Sequence, residues 1–274
     1  MKKILVPYDF SESSQYALDY ATQLASKFSS SLTLLHVAQI PVIGAEFGLI
    51  SASYPMNEKE NKVGLTELAT KIREDFSSIY EVNTHYEIGN PTDTITEYCN
   101  QKGFDLIVMG ISGHGNQFMK ITFGSTAISV SKQVMTPMLI VPPKCKFNEV
   151  HNIAYASDYD KEVERSLAID RVKQFKNLFQ ANLQILHVLP EGHELNKTES
   201  TIDKFIEQKL HTDKHVTYSI SDNNISDALL EFVKEHHSDM IVVEPKEHSI
   251  FHQLLLPSIT NQVAFFSPVP VLII

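Results

Sequence analysis

Residues 3–11, KILVPYDFS, place a short apolar run, Ile4–Val6, directly before a turn at Pro7–Asp9. The segment Ser11–Ser14 is a candidate helix start, because serine hydroxyls accept hydrogen bonds from the free N–H groups of a first helical turn. Apolar residues then recur at helical spacing, at Ala17, Leu18, Ala21, Leu24 and Ala25. The stretch therefore predicts a strand, a loop and a helix in that order.

The same alternation continues along the chain. Further apolar strands are predicted at residues 31–37, 82–88, 105–109 and 138–141, and further helices at about 58–80, 91–98 and 127–134. Short apolar strands that alternate with helices are typical of a parallel sheet with helices on both faces. We therefore expect an α/β fold with a mainly parallel five-stranded sheet.

This order of elements occurs twice. Four segments of the first half reappear in the second: Ile4–Asp9 as Ile153–Asp158, Leu34–Val37 as Ile185–Val188, Asp105–Met109 as Asp239–Val243, and Pro137–Val141 as Pro270–Ile274. Self-similarity at so long a period indicates a duplicated domain. Two prolines and several polar residues in 142–148 end the closing strand. We therefore expect domains at residues 1–144 and 149–274.

Length and charge exclude several classes of protein. A chain of 274 residues is long enough for two domains with separate cores. The net charge is −10 and the basic residues are scattered singly, which argues against nucleic acid and membrane surfaces as partners. Pro7 and Asp9 interrupt any signal-peptide core, and no apolar stretch reaches the roughly 18 residues of a membrane span. We therefore expect a cytoplasmic protein.

A glycine-containing loop follows the strand at 105–109. An open parallel sheet binds ligands at the carboxyl ends of its strands, where backbone N–H groups and helix N-termini face a crevice. Gly110 and Gly113 lie just past such an end, where glycine permits positive φ and lets a phosphate approach the backbone. The Gly-Ser-Thr sequence at 124–126 precedes a predicted helix. From the residues alone, the loop is either a ligand site or a tight turn before an ordinary helix.

The opening stretch, the LLHV strand at 34–37, the DLIVMG strand at 105–110 and the Gly-Ser pair at 124–125 resemble the universal stress protein family. The resemblance to its tandem-domain members extends over essentially the whole chain. The nucleotide loop of the family usually reads glycine, two residues, glycine, nine residues, glycine, then serine or threonine. Here ten residues, 114–123, separate Gly113 from Gly124, so this loop carries one insertion.

The resemblance implies two Rossmann-like domains of the adenine nucleotide alpha hydrolase type, with an ATP-like site in the first. ATP, or else ADP or AMP, with or without Mg²⁺, is the expected ligand. The nucleotide-binding residues that it implies are Pro7, Tyr8, Asp9, Val37, Met109, Gly110, Gly113, Gly124, Ser125 and Thr126. It also implies that the closing strands of the two halves pair as an intrachain pseudo-dimer, and further association into a homodimer is left open.

Asp9 has two alternative roles. A carboxylate does not help to bind phosphate, but it can accept hydrogen bonds from a base or a ribose, and the resemblance favours the base. Alternatively, Asp9 caps the loop that follows it, as aspartate often does. Both roles can coexist.

In the second half, residues 244–258 contain no glycine, and Glu244 replaces Gly110. A carboxylate there would repel phosphate, so we expect this half to have lost the nucleotide while keeping Asp158.

Metal and thiol chemistry have little support. His248 and His252 are four residues apart, but no HExxH motif is present, so we expect no metal site. The two cysteines, Cys99 and Cys145, have no CxxC spacing, which argues against a disulfide framework or a thiolate metal site. His36 and His187 recur at equivalent strand positions, which favours packing or a local hydrogen bond in both halves.

The leading functional hypothesis is a stress-response regulator or interaction module that binds a nucleotide and acts on unidentified protein partners. An adenylyl- or phosphoryl-transfer enzyme would need a metal-binding carboxylate near the phosphates and a positioned nucleophile or base. The loop of the first half has neither, so we expect no catalytic residue and at most slow ATP hydrolysis. A nucleotide-free interaction scaffold is the remaining alternative.

Overall fold

The computed structural model describes residues 1–39, 54–111, 125–157, 162–189, 191–192, 197–210, 213–244 and 259–274. Within these ranges the strands are β1 (Lys3–Pro7), β2 (Ser31–Ala38), β3 (Glu81–Ile88), β4 (Leu106–Gly110), β5 (Met138–Val141), β6 (Asn152–Ala156), β7 (Asn182–Leu189), β8 (His215–Ser221), β9 (Met240–Val243) and β10 (Val271–Ile273). The helices in the same ranges are α1 (Glu12–Phe28), α2 (Tyr54–Asp75), α3 (Pro91–Lys102), α4 (Ser125–Ser131), α5 (Glu162–Phe179), α6 (Lys197–Leu210), α7 (Ile225–Glu235) and α8 (Ile259–Phe266). This alternation confirms the predicted α/β class.

The described residues divide into two compact units. Among them the first unit ends at Met138 and the second begins at Leu139, so that the division falls in β5. The predicted domain limits at residues 144 and 149 stay a prediction.

Each half has a sheet of the same topology. In the first half the strand order is β3-β2-β1-β4-β5. In the second half it is β10-β9-β6-β7-β8, which is the same order read from the other edge, since β6–β10 correspond to β1–β5. The first strand of each half pairs in parallel on both sides: β1 with β2 and β4, and β6 with β7 and β9. The predicted parallel sheets are confirmed. The strand order reverses beside β1 and β6, and ligands of open α/β sheets bind at such a switch point.

The sequence explains how β1 and α1 form. Ile4–Val6 are fully buried, and a strand that is covered on both faces has a continuous apolar run rather than an alternating one. Ser11 is the N-cap of α1, since its side chain accepts a hydrogen bond from the Ser14 N–H. The predicted helix start is therefore confirmed, and the loop at residues 8–11 connects the end of β1 to this cap.

Three helices differ in extent from the prediction. Helix α3 continues to Lys102 instead of ending at residue 98, and the left-handed Gly103 then ends it. Helix α2 ends at Asp75 rather than near residue 80, because the chain turns before β3, where the Ile79 N–H donates to the Phe76 carbonyl. Helix α4 spans Ser125–Ser131 instead of 127–134. The residues after it form a turn in which the Gln133 N–H donates to the Val130 carbonyl.

An aspartate at the start of β4 and its counterpart at the start of β9 hold the first strand of each half. The Asp105 Oδ2 accepts hydrogen bonds of 2.6 and 3.0 Å from the backbone N–H groups of Lys2–Lys3. The Asp239 Oδ2 accepts two bonds of 2.8 Å from the N–H groups of His151–Asn152. Each carboxylate thus fixes the start of one strand against the start of its neighbour.

Candidate functional site

The carboxyl ends of β1, β2 and β4 lie side by side in the first half, next to the start of α1. Strand β1 ends at the buried Pro7, and β4 ends at Gly110. Tyr8 extends the pairing of β1, since its N–H donates to the Leu35 carbonyl of β2 at 2.8 Å. The structure therefore brings six of the predicted site residues to this edge: Pro7, Tyr8, Asp9, Val37, Met109 and Gly110.

The other four predicted residues belong to the loop and to α4. Ser125 and Thr126 are the first two residues of α4, and Thr126 is half-buried. Gly113 and Gly124 lie outside the described residues, together with the inserted position between them. The predicted role of the loop thus stays a prediction.

Asp9 is exposed and accepts hydrogen bonds from its own loop. Its Oδ1 accepts from the Ser11 N–H at 3.0 Å and from the Ser11 hydroxyl at 2.5 Å, while its own N–H donates to the Ser14 Oγ at 3.4 Å. Burial raises the pKa of Asp9, but hydrogen bonds from Ser11 and Ser14 outweigh it and hold the pKa below its ordinary value. At neutral pH the side chain is therefore a charged acceptor. Its predicted capping role is confirmed, and its contact with a base stays a prediction.

Gly110 is required by close packing. A Cβ atom on Gly110 would lie 1.9 Å from the carbonyl oxygen of Ser13 and 2.4 Å from its carbon. Real Cβ atoms essentially never approach another atom so closely, so the end of β4 can meet the first turn of α1 only at a glycine. The sequence argument for positive φ does not apply here, because Gly110 does not lie in the left-handed region. Contact with the neighbouring helix is the reason instead.

A buried histidine holds the carbonyl that precedes Asp9. His36 of β2 contacts the Tyr8 carbonyl through Nδ1 at 2.7 Å and the Asn61 side chain of α2 through Nε2 at 3.1 Å. Nδ1 must carry the proton in order to donate to a carbonyl, so Nε2 accepts from the Asn61 amide. In the second half, the His187 Nδ1 lies 3.0 Å from the Ser157 carbonyl. The predicted local hydrogen bond is thus confirmed in both halves.

Phe10 follows Asp9 and has an unusual backbone conformation. Its φ is 63°, in the left-handed region, which is strained for a large side chain. Its ring lies 5.0 Å from the Tyr8 ring and 5.2 Å from the His36 ring, measured between centroids. The ring also covers Gly64 of α2, where an added Cβ atom would lie 3.1 Å from it. The Asp9 loop therefore packs against α2 through an aromatic side chain.

Sequence reasoning missed Phe10, Asn61 and Gly64. The one available signal was Gly64 itself, since glycine in a helix interior costs about 1 kcal/mol relative to alanine and often has a packing reason. No spacing pattern relates Asn61 to His36, because the two residues lie on different elements.

The equivalent edge of the second half has a carboxylate in place of the glycine. Glu244 follows β9, and the hydroxyl of the buried Tyr155 donates a hydrogen bond to its Oε1. The carboxylate is thus held at the strand end, as the sequence comparison predicts. Whether this half has lost the nucleotide stays a prediction, and Asp158 lies outside the described residues.

Metal and membrane sites have no support in the described part of the chain. No group of three or more His, Cys, Asp or Glu side chains in these residues is placed to hold a metal ion. His248 and His252 lie outside this part. None of the helices described is both long enough and apolar enough to span a bilayer.

Comparisons with known proteins agree on one family. The model of the universal stress protein family matches residues 1–142 and 150–274. The chain is 22% identical to the universal stress protein Slr1230 of Synechocystis, with 99% of each chain covered. It is 30% identical to the universal stress protein YxiE of Bacillus subtilis, over 51% of this chain and 97% of YxiE. A crystal structure of a universal stress protein from Archaeoglobus fulgidus has the same fold, with a TM-score of 0.74, 20% identity and coverage of 99% and 97% of the two chains.

Proposed function

The chain belongs to the universal stress protein family, and from this premise we propose that its first half binds ATP or a related adenine nucleotide as a regulator or interaction module. One observation carries the proposal: Asp9, a charged acceptor, follows β1, and β1 pairs with β4 at the switch point of the sheet, where β4 ends at Gly110. The proposed nucleotide-binding residues are Pro7, Tyr8, Asp9, Val37, Met109, Gly110, Gly113, Gly124, Ser125 and Thr126.

The charge of Asp9 orients the ligand. A carboxylate accepts a hydrogen bond from the exocyclic amino group of adenine, whereas guanine presents an acceptor at the same position. The same carboxylate repels phosphate. We therefore place the base beside Asp9 and Val37, and the phosphates towards the glycine loop and the first N–H groups of α4.

The regulatory role follows from the arrangement of this half. In the proposal, the nucleotide orders the loop between Gly110 and Ser125 and so changes a surface that a protein partner recognises. The second half, in which Glu244 takes the place of Gly110, has an architectural or regulatory role. Pairing of the closing strands and the cytoplasmic location predicted from the sequence are parts of the same proposal.

Calorimetry with ATP tests the nucleotide site. The intact chain should bind one ATP, and Asp9→Ala and Gly113→Val should each weaken binding at least about tenfold, or about 1.4 kcal/mol. Asp75→Ala is a matched control, because it removes the same charge from an exposed position at the end of α2. It should bind ATP as the parent does.

Two results would replace the proposal by one of its alternatives. If no adenine nucleotide produces heat or a thermal shift with the parent chain, the protein is a nucleotide-free scaffold. If ATP is turned over at roughly 1 per second or faster, which is the rate of an ordinary enzyme, the protein is an enzyme instead of a regulator.

A further inference from the structure

Besides its bonds to Ser11 and Ser14, the loop around Asp9 has two supports that come from one face of α2. Asn61 and Gly64 are three residues apart and so lie on the same side of the helix. Asn61 reaches the Tyr8 carbonyl through His36, and Gly64 contacts the ring of Phe10. Helix α2 therefore acts on the residue before Asp9 and on the residue after it.

The first support is a chain of two hydrogen bonds through a buried ring. His36 is only 7% exposed, so its Nε2 has little access to water if the Asn61 amide is removed. A buried acceptor that loses its partner is destabilised, and the ring reorients to recover a hydrogen bond. The His36 Nδ1 then no longer holds the Tyr8 carbonyl. The peptide that leads into Asp9 retains the 3.4 Å bond from the Asp9 N–H to the Ser14 Oγ, which fixes it less firmly.

The second support holds a strained residue in place. Left-handed backbone persists at a phenylalanine only when its surroundings fix it. Here one side of the ring packs against Tyr8, His36 and the backbone of Gly64, while 43% of Phe10 stays exposed. A methyl group at Gly64 would displace the ring by a few tenths of an ångström. Because Phe10 directs the chain from Asp9 to the Ser11 cap, that displacement moves the carboxylate relative to Gly110.

We propose that Asn61 and Gly64 are positioning residues of the nucleotide site, which set the place of the Asp9 carboxylate without touching the ligand. This inference rests on the proposed function, since it concerns the same site. It makes α2 the element through which the geometry of the base pocket is set.

Gly64→Ala is the decisive variant, because its effects on stability and on binding have opposite signs. Alanine favours a helix interior over glycine, so the melting temperature should equal or exceed that of the parent. The affinity for ATP, measured by calorimetry, should nevertheless fall about tenfold. Thr66→Ala is the matched control, since Thr66 is exposed on α2 and its hydroxyl bonds only to the Lys62 carbonyl. It should bind ATP as the parent does.

Phe10→Gly provides a second test that does not depend on stability. This change removes both the ring and the strain, so that Gly64→Ala should have no further effect on ATP affinity in its background. Additive effects of the two substitutions would contradict a coupling through the ring.

Asn61 is tested by loss and rescue. Asn61→Ala should weaken ATP binding about tenfold. Asn61→Gln keeps an amide donor at this position and should retain more of the affinity than Asn61→Ala. Equal weakening by the two variants would overturn the role assigned to Asn61.

The outcomes separate this inference from the proposed function. If the parent chain fails to bind ATP, the proposed function fails and the inference fails with it. If the parent binds ATP and both Gly64→Ala and Asn61→Ala bind it equally well, the nucleotide site stands and the positioning role is wrong.

Discussion

Asp105 of the first half and Asp239 of the second make the same pair of hydrogen bonds, each to two successive N–H groups at the start of a strand. His36 and His187 likewise contact the carbonyl of the loop that follows β1 or β6. These side chains connect neighbouring strands. The halves therefore share the contacts that any copy of the sheet needs in order to fold.

Helix ends agree between the halves as well. Helices α1 and α5 end in left-handed residues, Ser29 with φ 49° and Gln180 with φ 56°. Helix α3 is followed by Gly103 with φ 63°, and the equivalent residue after α7, His237, has φ 49°. A histidine thus adopts a conformation that glycine enters at little cost. The two halves therefore share a left-handed backbone conformation at this helix end, although in the second half it is occupied by histidine, for which it is strained.

The ligand edge is where the halves differ. In the first half, Gly110 brings β4 against the start of α1. In the second half, Glu244 stands at that position and is bonded to Tyr155. The comparison teaches that the fold depends on contacts among strands and helix ends, whereas the binding chemistry depends on the few residues just beyond the strands.

The largest expected effect comes from exchanging the residues that differ. Gly110→Ala should lower the free energy of unfolding of the first half by about 3 kcal/mol, because its Cβ cannot be accommodated beside the Ser13 carbonyl. Glu244→Gly should cost the second half only about 1 kcal/mol, through the lost hydrogen bond with Tyr155. Urea denaturation followed by circular dichroism measures both. A Gly110→Ala variant that unfolds at the urea concentration of the parent would contradict the close approach.

Substitution of Asp105 or of Asp239 should reduce the stability of the corresponding half by a similar amount. Asp105→Ala and Asp239→Ala each remove a charged acceptor of two backbone hydrogen bonds. Each should therefore lower the stability of its own half by about 2 kcal/mol. Hydrogen exchange at the N–H groups of Lys2–Lys3 and His151–Asn152 assigns each loss to a half. Loss of protection in both halves from one substitution would show that the two contacts are not independent.

Substitutions at the ends of α3 and α7 should change the stability in opposite directions. Gly103→Ala puts a side chain into left-handed backbone and should destabilise by about 1 kcal/mol. His237→Gly relieves the same conformation and should stabilise by about 0.5 kcal/mol. Melting temperatures of the two variants test this. Destabilisation by both would mean that the His237 side chain contributes more than its strain costs.

The smallest expected effect is on the acid stability of the second half. In the second half, hydrogen bonds from Lys176 outweigh desolvation and, with Lys173, lower the pKa of Asp213. A carboxyl group with a lowered pKa stabilises the fold above its unfolded value of about 3.9, and this contribution disappears as the pH falls through the folded value. Asp213→Asn should therefore cost about 0.3 kcal/mol at pH 7, and less as the pH falls through the folded pKa of Asp213. A loss that is constant from pH 7 to pH 2 would exclude the ion pair as its cause.

The sequence predicted the scaffold well, because hydrophobic periodicity and an internal repeat are linear signals. The apolar run Ile4–Val6 and the serine before α1 predicted a strand and a helix start that the structure confirms. The closing strand, Met138–Val141, has the predicted limits.

The site was predicted only in part, because its geometry depends on contacts between distant residues. Nothing in the spacing of the chain relates Gly110 to Ser13 or Gly64 to Phe10, so the packing of Gly110 and the role of α2 were missed. The positive φ expected at Gly110 was wrong, whereas the approach of a phosphate to it stays a prediction. Gly113 and Gly124 lie outside the described residues, and their part in binding remains a prediction.

The hydrogen bonds between the Asp105 carboxylate and the N–H groups of Lys2–Lys3 have a consequence for biosynthesis. While the chain leaves the ribosome, β1 emerges first, yet its partner β4 and the carboxylate beside it follow about a hundred residues later, on the order of ten seconds at ordinary translation rates. During that interval one side of the apolar run Ile4–Val6 has no neighbouring strand. A chaperone that protects this protein on the ribosome should therefore stay bound to β1 until β4 is made.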